Sequence, residues 1–281
     1  MIKFAPYRIV INGNDQDDID YEKWYSSEPR DPAQKPRDLD GMELQPRQLH
    51  GFSPQGVISK LKDLMYEAAV VQRLSQIKKY RTGQLVLAAS LKLKADLYIL
   101  PPGFRDNVRF MSENDPMLFD ICRASGAKGV PENKYIKNSR VLYMPFLTGS
   151  CDKNFQEHTN DSTLLHELVH AVRPHNFDKL KSQPTNDKWT DLEEFFAVMI
   201  QNIYMSERGD KKIRGGHKSD ASPLPSTRAA SSEFMADKTN YARVKEALKR
   251  EVLAQQLAKL DDIPFNPFAE FERAKRDLRS I

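Results

Sequence analysis

Leu164-Leu165-His166-Glu167-Leu168-Val169-His170-Ala171 sets two histidines four residues apart with a glutamate directly after the first. On a helix that spacing puts both imidazoles on one face, about one turn apart, within reach of a single metal ion. Glu167 then lies beside the ion. Zn²⁺ held by two neutral imidazoles and one further protein ligand keeps a position for water, whose pKa falls toward neutrality there. A neighbouring carboxylate can take the proton of that water during attack on a carbonyl and return it to the leaving amine. Such a pattern predicts peptide hydrolysis. Histidines and glutamates also sit on ordinary solvated helix faces, but Leu164, Leu165, Leu168, Val169 and Ala171 surround these ones. A helix of that composition is buried on most sides, and polar groups in an interior need a partner, which a metal supplies.

The third ligand is expected from a second helix, opening at Thr190-Asp191-Leu192-Glu193-Glu194-Phe195-Phe196-Ala197. Thr190 with Glu193 three residues on reads as a capping box, which folds Glu193 back on the helix start and leaves Glu194 for the metal. Ala197 allows close approach on the neighbouring face. Glu193 stays the alternative ligand, because it projects nearer the middle of the apolar stripe of Leu192, Phe195, Phe196, Met199 and Ile203.

The rest of the chain is ordinary in composition and therefore excludes more than it assigns. Its 281 residues allow one or two domains with a real core, and 40% hydrophobic with 29% charged residues fits a globular protein. A net charge of +4 is too small to predict nucleic-acid or membrane-surface binding. Cys122 and Cys151 do not make a disulfide framework or match a cysteine metal site, and a single bridge between them stays open. Met1-Ile2-Lys3-Phe4-Ala5-Pro6 lacks a signal-peptide core, and no apolar run reaches the roughly 18 to 20 residues of a membrane span. Synthesis in the cytoplasm is expected, with export only by a dedicated machine.

Tyr7 to Asn12 reads as a strand, followed by the acidic residues Asp15, Asp17, Asp18 and Asp20. A calcium loop begun at Asp15 would put Ile19 at a ligating position and Asp20 where glycine belongs, so that reading fails. From there to Gly51 the composition predicts an extended arm, which sets a boundary between residues 1–52 and a catalytic domain over 53–281. Helical periodicity starts at Ser53 or Pro54 with Val57, Ile58, Leu61, Leu64, Met65, Ala68, Leu74 and Ile77, and a shorter helix follows from Gly83 to about Lys92. Strands are expected at Ala95–Leu100, at Val108–Met111 and at Ser139–Pro145, with irregular chain and a short helix around Met117–Arg123 between them. The last of these strands, just before the metal helix, is either an edge on which an extended peptide could add or an ordinary interior strand. Asn160 or Asp161 is placed to cap the metal helix, which should end near Arg173; His158 and His175 read as surface residues. After residue 218 a Ser, Pro and Ala-rich loop runs to Ala236, then helices over Tyr241–Lys259 and Phe268–Arg279, the second carrying Lys275, Arg276 and Arg279 on a solvated face.

Leu165-His166-Glu167-Leu168-Val169-His170-Ala171-Val172-Arg173, then Glu193-Glu194-Phe195-Phe196-Ala197-Val198 and Asn202-Ile203-Tyr204-Met205-Ser206-Glu207, resemble the effector zinc metallopeptidases. These are bacterial toxin domains delivered by specialised secretion systems, among them type III and type VI effectors. Arg214-Gly215-Gly216-His217 and Pro264-Phe265-Asn266-Pro267 extend the resemblance over roughly the second half of the chain. It implies a zincin-like fold and delivery into a target cell, and leaves the substrate open. In proteins of this kind a histidine or tyrosine often stabilises the oxyanion, which implies His217 here, with Tyr204 behind it. A toxin would also have an immunity or inhibitor protein as partner.

The expectation is an α+β, zincin-like metalloprotease domain, with a small sheet beside the His166–His170 helix and a mostly helical C-terminal half. It is read as a monomeric zinc endopeptidase with His166, His170 and Glu194 on Zn²⁺, Glu167 and His217 as catalytic residues, and protein or peptide as substrate. Two rivals share the residues: a zinc hydrolase acting on another amide such as cell-wall peptide, and a non-catalytic protein with a structural zinc site. A structural site would be closed by a fourth protein ligand and has no use for a carboxylate at Glu167.

Overall fold

The computed structural model describes residues 1–13, 54–101, 127–130, 139–143, 145, 160–173, 183, 188–189, 191–217 and 221–278. The acidic cluster after Asp15, the strand expected at Val108–Met111, the short helix expected at Met117–Arg123, Cys122, Cys151, His158, His175 and Thr190 lie outside these residues.

A five-stranded mixed sheet carries the fold: β1 (Ile2–Lys3), β2 (Ile9–Ile11), β3 (Leu97–Leu100), β4 (Ala127–Val130) and β5 (Arg140–Tyr143), in the order β1-β2-β3-β5-β4. The central strands β2, β3 and β5 are parallel, and β1 and β4 are antiparallel at the two ends. Ile9, Val10 and Ile11 are all buried, as a parallel strand covered on both faces requires of a continuous β-branched run. The register Ile9↔Leu97 ties the first residues of the chain into the sheet, so residues 1–13 belong to the same body as the metal helix. Arg140–Tyr143 is the interior strand of the two readings, and among the described residues the end of the sheet nearest the His166–His170 helix is β4. That strand falls in the stretch expected to be irregular. Ala127-Lys128-Gly129-Val130 is poor in strand-forming residues, and pairing with β5 imposes the extended form.

Among the described residues two helices precede the one that carries His166 and His170: α1 (Pro54–Lys78) and α2 (Arg81–Ala89), the latter extended by a 3₁₀ turn over Ser90–Lys92. The buried face of α1 is Tyr66, Val70, Leu74 and Ile77. Leu64, Met65 and Ala68, expected in that stripe, are exposed, because the packed face is rotated toward Tyr66. Helix α3 (Asn160–Ala171) lies against the sheet, and α4 (Leu192–Arg208) packs along α3. Asp161 does not act as the α3 cap; it sits in the first turn, where its carboxylate accepts from Tyr204 Oη (2.6 Å) and Arg208 Nη1 (2.7 Å) of α4. Gly209 ends α4 at φ 92°, with its N–H and that of Asp210 closing on Ser206 and Met205 carbonyls.

A short hairpin, β6 (Lys212–Ile213) with β7 (Leu224–Pro225), leads to a C-terminal helical layer of α5 (Arg228–Ala236), α6 (Lys238–Arg250), α7 (Val252–Leu257) and α8 (Pro267–Asp277). The Ser and Ala-rich stretch expected as loop contains α5, capped by Thr227 on Ala230 N–H and held by buried Phe234 and Met235. The single helix expected over Tyr241–Lys259 is two, broken at Glu251, which is extended at φ −109°, ψ 111°. The break exposes Val252 and buries Leu253, Ala254 and Leu257. No helix among the described residues is long and apolar enough to cross a membrane.

Candidate metal centre

Helix α3 is buried by Leu164, Leu165, Leu168 and Val169, which hold it between sheet and α4 and leave its polar face directed at α4. On that face His166 and His170 meet edge to face, with ring centroids 4.8 Å apart and only a few per cent of either side chain exposed. Their Nε2 atoms are 3.1 Å apart, and Glu194 Oε2 lies 3.2 Å from the first and 3.5 Å from the second. Tetrahedral coordination with metal–ligand bonds of about 2.0–2.1 Å puts ligand atoms roughly 3.3 Å from one another. The triangle has those edges. Two imidazole nitrogens this close can share one proton, whereas a cation satisfies both lone pairs and the carboxylate together. His166, His170 and Glu194 could therefore hold a metal ion.

Glu194 arrives there because Asp191, not Thr190, caps α4: its side chain accepts the Glu194 N–H at 2.8 Å. The helix starts one residue later than a capping box of Thr190 with Glu193 requires. Glu193 is instead 1% exposed and accepts from His170 Nδ1 at 2.9 Å and from Arg173 Nη1 at 2.8 Å. Its oxygens are committed to His170 and Arg173, and Glu194 presents the oxygen to the cluster.

The charges in the site follow from this packing. Burial alone would lower the His170 pKa, but the Glu194 charge and the hydrogen bonds of both glutamates hold it well above the ordinary imidazole value. Glu194 is held far below the usual carboxylate range, since the two histidines outweigh the cost of its burial.

His217 joins the cluster from the loop after β6. Its Nε2 is 3.2 Å from Glu194 Oε2 and its ring stacks on His166 with centroids 6.1 Å apart, although it is outside the three-atom group that converges most closely. Burial pushes its pKa down to about 4, with His166 and Arg214 acting in the same direction and Glu194 against it, so His217 is neutral at pH 7. The segment Arg214–His217 that delivers it is held at both ends. Asn202 holds the backbone of Arg214 through both N–H (2.9 Å) and carbonyl (2.8 Å), Arg214 Nη2 donates to the His217 carbonyl (3.1 Å), and His217 N–H donates to the Lys188 carbonyl (2.8 Å). A Cβ on Gly215 would stand 1.8 Å from the Ser222 carbonyl oxygen, and one on Gly216 2.8 Å from that of Lys188, so the glycines permit the close approach.

Glu167 is buried on α3, outside the converging trio. Its carboxylate and that of Glu194 both act on the Arg214 guanidinium, whose pKa burial lowers to about 10 against their pull, so Arg214 remains a cation at neutral pH. Tyr204 is not brought to the cluster as an oxyanion donor: its hydroxyl donates to Asp161, and its ring packs edge to face on Tyr80 at 5.4 Å. Among the described residues, three around the site were not singled out from sequence for a role: Arg173, Glu251, which accepts from Arg173, and Gln201, whose Oε1 accepts from Arg214 Nη1 at 3.0 Å. Arg173 comes three residues after His170, just past the end of α3, and that spacing is the one local signal it carries.

No protein-family model, curated protein or solved structure gives a significant match to this chain.

Proposed function

We propose that the chain is a zinc-dependent endopeptidase of zincin-like type, acting as a secreted bacterial effector or toxin on proteins of a target cell. The observation that carries the peptidase reading is a buried trio of two imidazoles and one carboxylate, at tetrahedral spacing, with a second carboxylate, Glu167, on the same helix and outside the trio. Three protein ligands leave the open position that catalytic zinc sites keep. Bound there, zinc would polarise a peptide carbonyl and make water acidic enough to be deprotonated near neutrality. Glu167 takes the proton from the attacking water and passes it to the leaving nitrogen. His217, neutral at pH 7 and beside Glu194, is the donor for charge developing on the carbonyl oxygen.

The substrate backbone has a candidate track. Strand β4 ends the sheet among the described residues and runs beside α3, so its outer edge is a place where an extended peptide could add as one more strand near the helix that carries the trio. This supports a polypeptide substrate over a small amide. The secreted-effector reading rests on the resemblance of the motif segments alone.

The test is a search for new protein termini in mixed bacterial and host lysates exposed to the wild type and to Glu167→Gln. Termini produced by the wild type alone are expected, and identical lysates would refute the peptidase reading.

A further inference from the structure

Behind the metal trio the chain buries a second set of charges. Arg173, Glu193 and Glu251 are 6%, 1% and 7% exposed. Arg173 Nη2 donates to Glu251 Oε1 at 2.8 Å and its Nε to Oε2 at 3.3 Å, while Nη1 donates to both oxygens of Glu193 at 2.8 Å. Glu193 Oε1 accepts in turn from His170 Nδ1 at 2.9 Å. The guanidinium lies over the Phe196 ring at 3.7 Å, which fixes its plane. A continuous line of contacts thus runs from the α6–α7 break, through the end of α3 and the start of α4, to a metal-facing imidazole.

We infer that Arg173 and Glu251 are positioning residues of the metal centre, which act through Glu193 to fix the ring of His170. The inference rests on the metal-centre reading above.

Stability does not account for the arrangement, because buried ion pairs recover little beyond their desolvation cost, and apolar side chains of equal volume would serve as well. Helix capping does not account for it either. Glu251 occupies the N-cap of α7, yet its side chain makes no capping hydrogen bond and turns to a residue 78 positions away. The two histidines differ in the same sense. His166 Nδ1 is buried with no hydrogen-bond partner among the described residues, whereas His170 Nδ1 is anchored. A hydrogen bond from Nδ1–H to a carboxylate leaves Nε2 as the lone-pair nitrogen and sets the direction in which it points. Arg173 holds Glu193 in place for that task, and Glu251 holds the other side of Arg173. The C-terminal helical layer is thereby part of what binds the ion.

The experiment uses the full chain, with Zn²⁺ affinity from competition with a chromophoric chelator and the visible absorption of Co²⁺-loaded protein as the readout of ligand geometry. Circular dichroism establishes that each variant is folded at the assay temperature. Glu193→Gln should weaken Zn²⁺ binding about 10- to 100-fold, and Glu251→Gln about 10-fold with a shifted Co²⁺ band. The double variant should bind no more weakly than Glu193→Gln alone, since both act on one ring. Should Glu251→Gln fail to fold, Arg173→Lys, which keeps the charge and loses the fork, should show the same weakening. Folded variants with wild-type affinity and spectrum, or additive losses in the double variant, would overturn the inference while leaving the metal centre intact. A wild type that binds no Zn²⁺ would overturn both.

Discussion

Replacing Tyr204 with phenylalanine separates a structural residue from a catalytic one. The ring is fully buried and keeps its packing on Tyr80, so the change removes only the hydroxyl. Burial and the Asp161 carboxylate raise the phenol pKa, so the hydroxyl is a donor throughout the working range, and it donates to Asp161 Oδ2 at 2.6 Å. Hydrogen bonds to charged groups contribute about 1.5–3 kcal/mol. Asp161 retains Arg208 at 2.7 Å and is not left unpaired, which puts the expected loss at the lower end, about 1.5–2 kcal/mol. For a domain of this size, each kcal/mol moves the midpoint by about 2–4 °C, so thermal unfolding followed by circular dichroism should shift down by about 3–8 °C. Metal affinity and the turnover of any identified substrate should be unchanged. An unaltered midpoint together with a tenfold or greater fall in turnover would refute the structural assignment and restore Tyr204 as an oxyanion donor.

Further outcomes follow from the same geometry. Glu194→Ala should remove most zinc binding, whereas Glu193→Gln should keep a weakened site; elemental analysis after dialysis distinguishes them, and the reverse order would make Glu193 the ligand. His217→Ala should leave zinc content near that of the wild type and lower kcat by about 10²–10³-fold, the cost of losing one oxyanion donor; loss of metal instead would make His217 a ligand. Because His170 is protonated at neutral pH without metal and its Nε2 must give a lone pair, zinc loading at pH 7 should release about one proton per ion. The sign is that affinity rises with pH, about tenfold per unit below the raised His170 value, and calorimetry in two buffers of different ionisation enthalpy measures it.

The residues of the proposed metal centre are those a sequence displays best, because their spacing is itself the constraint. His166 and His170 share one helical face by the periodicity of the helix, with Glu167 next to it, and the Ile, Val and Leu residues of β2 and β3 state their own burial. Glu194 was legible only as one of two adjacent glutamates. The capping box that favours it rests on Thr190, outside the described residues; in the structure Asp191 caps the helix, Glu193 accepts from Arg173 and His170, and Glu194 joins the trio. Strand β4 was illegible because its four residues are extended by pairing with β5 rather than by preference. The break at Glu251 was illegible for the opposite reason, since apolar residues continue at helical spacing through it while Glu251 itself is extended and its carboxylate accepts from Arg173. Contacts across 78 residues leave no local pattern. His217 showed only as a histidine after two glycines, and the need for those glycines is visible in the carbonyls packed against them.

The most direct test of the account is zinc content by elemental analysis on wild type and Glu167→Gln, run beside a cleavage assay on the same preparations. Glu167 lies outside the ligand trio, so both proteins should carry about one zinc per chain while only the wild type cleaves. Absence of zinc from the wild type, or cleavage that survives in Glu167→Gln, would contradict it.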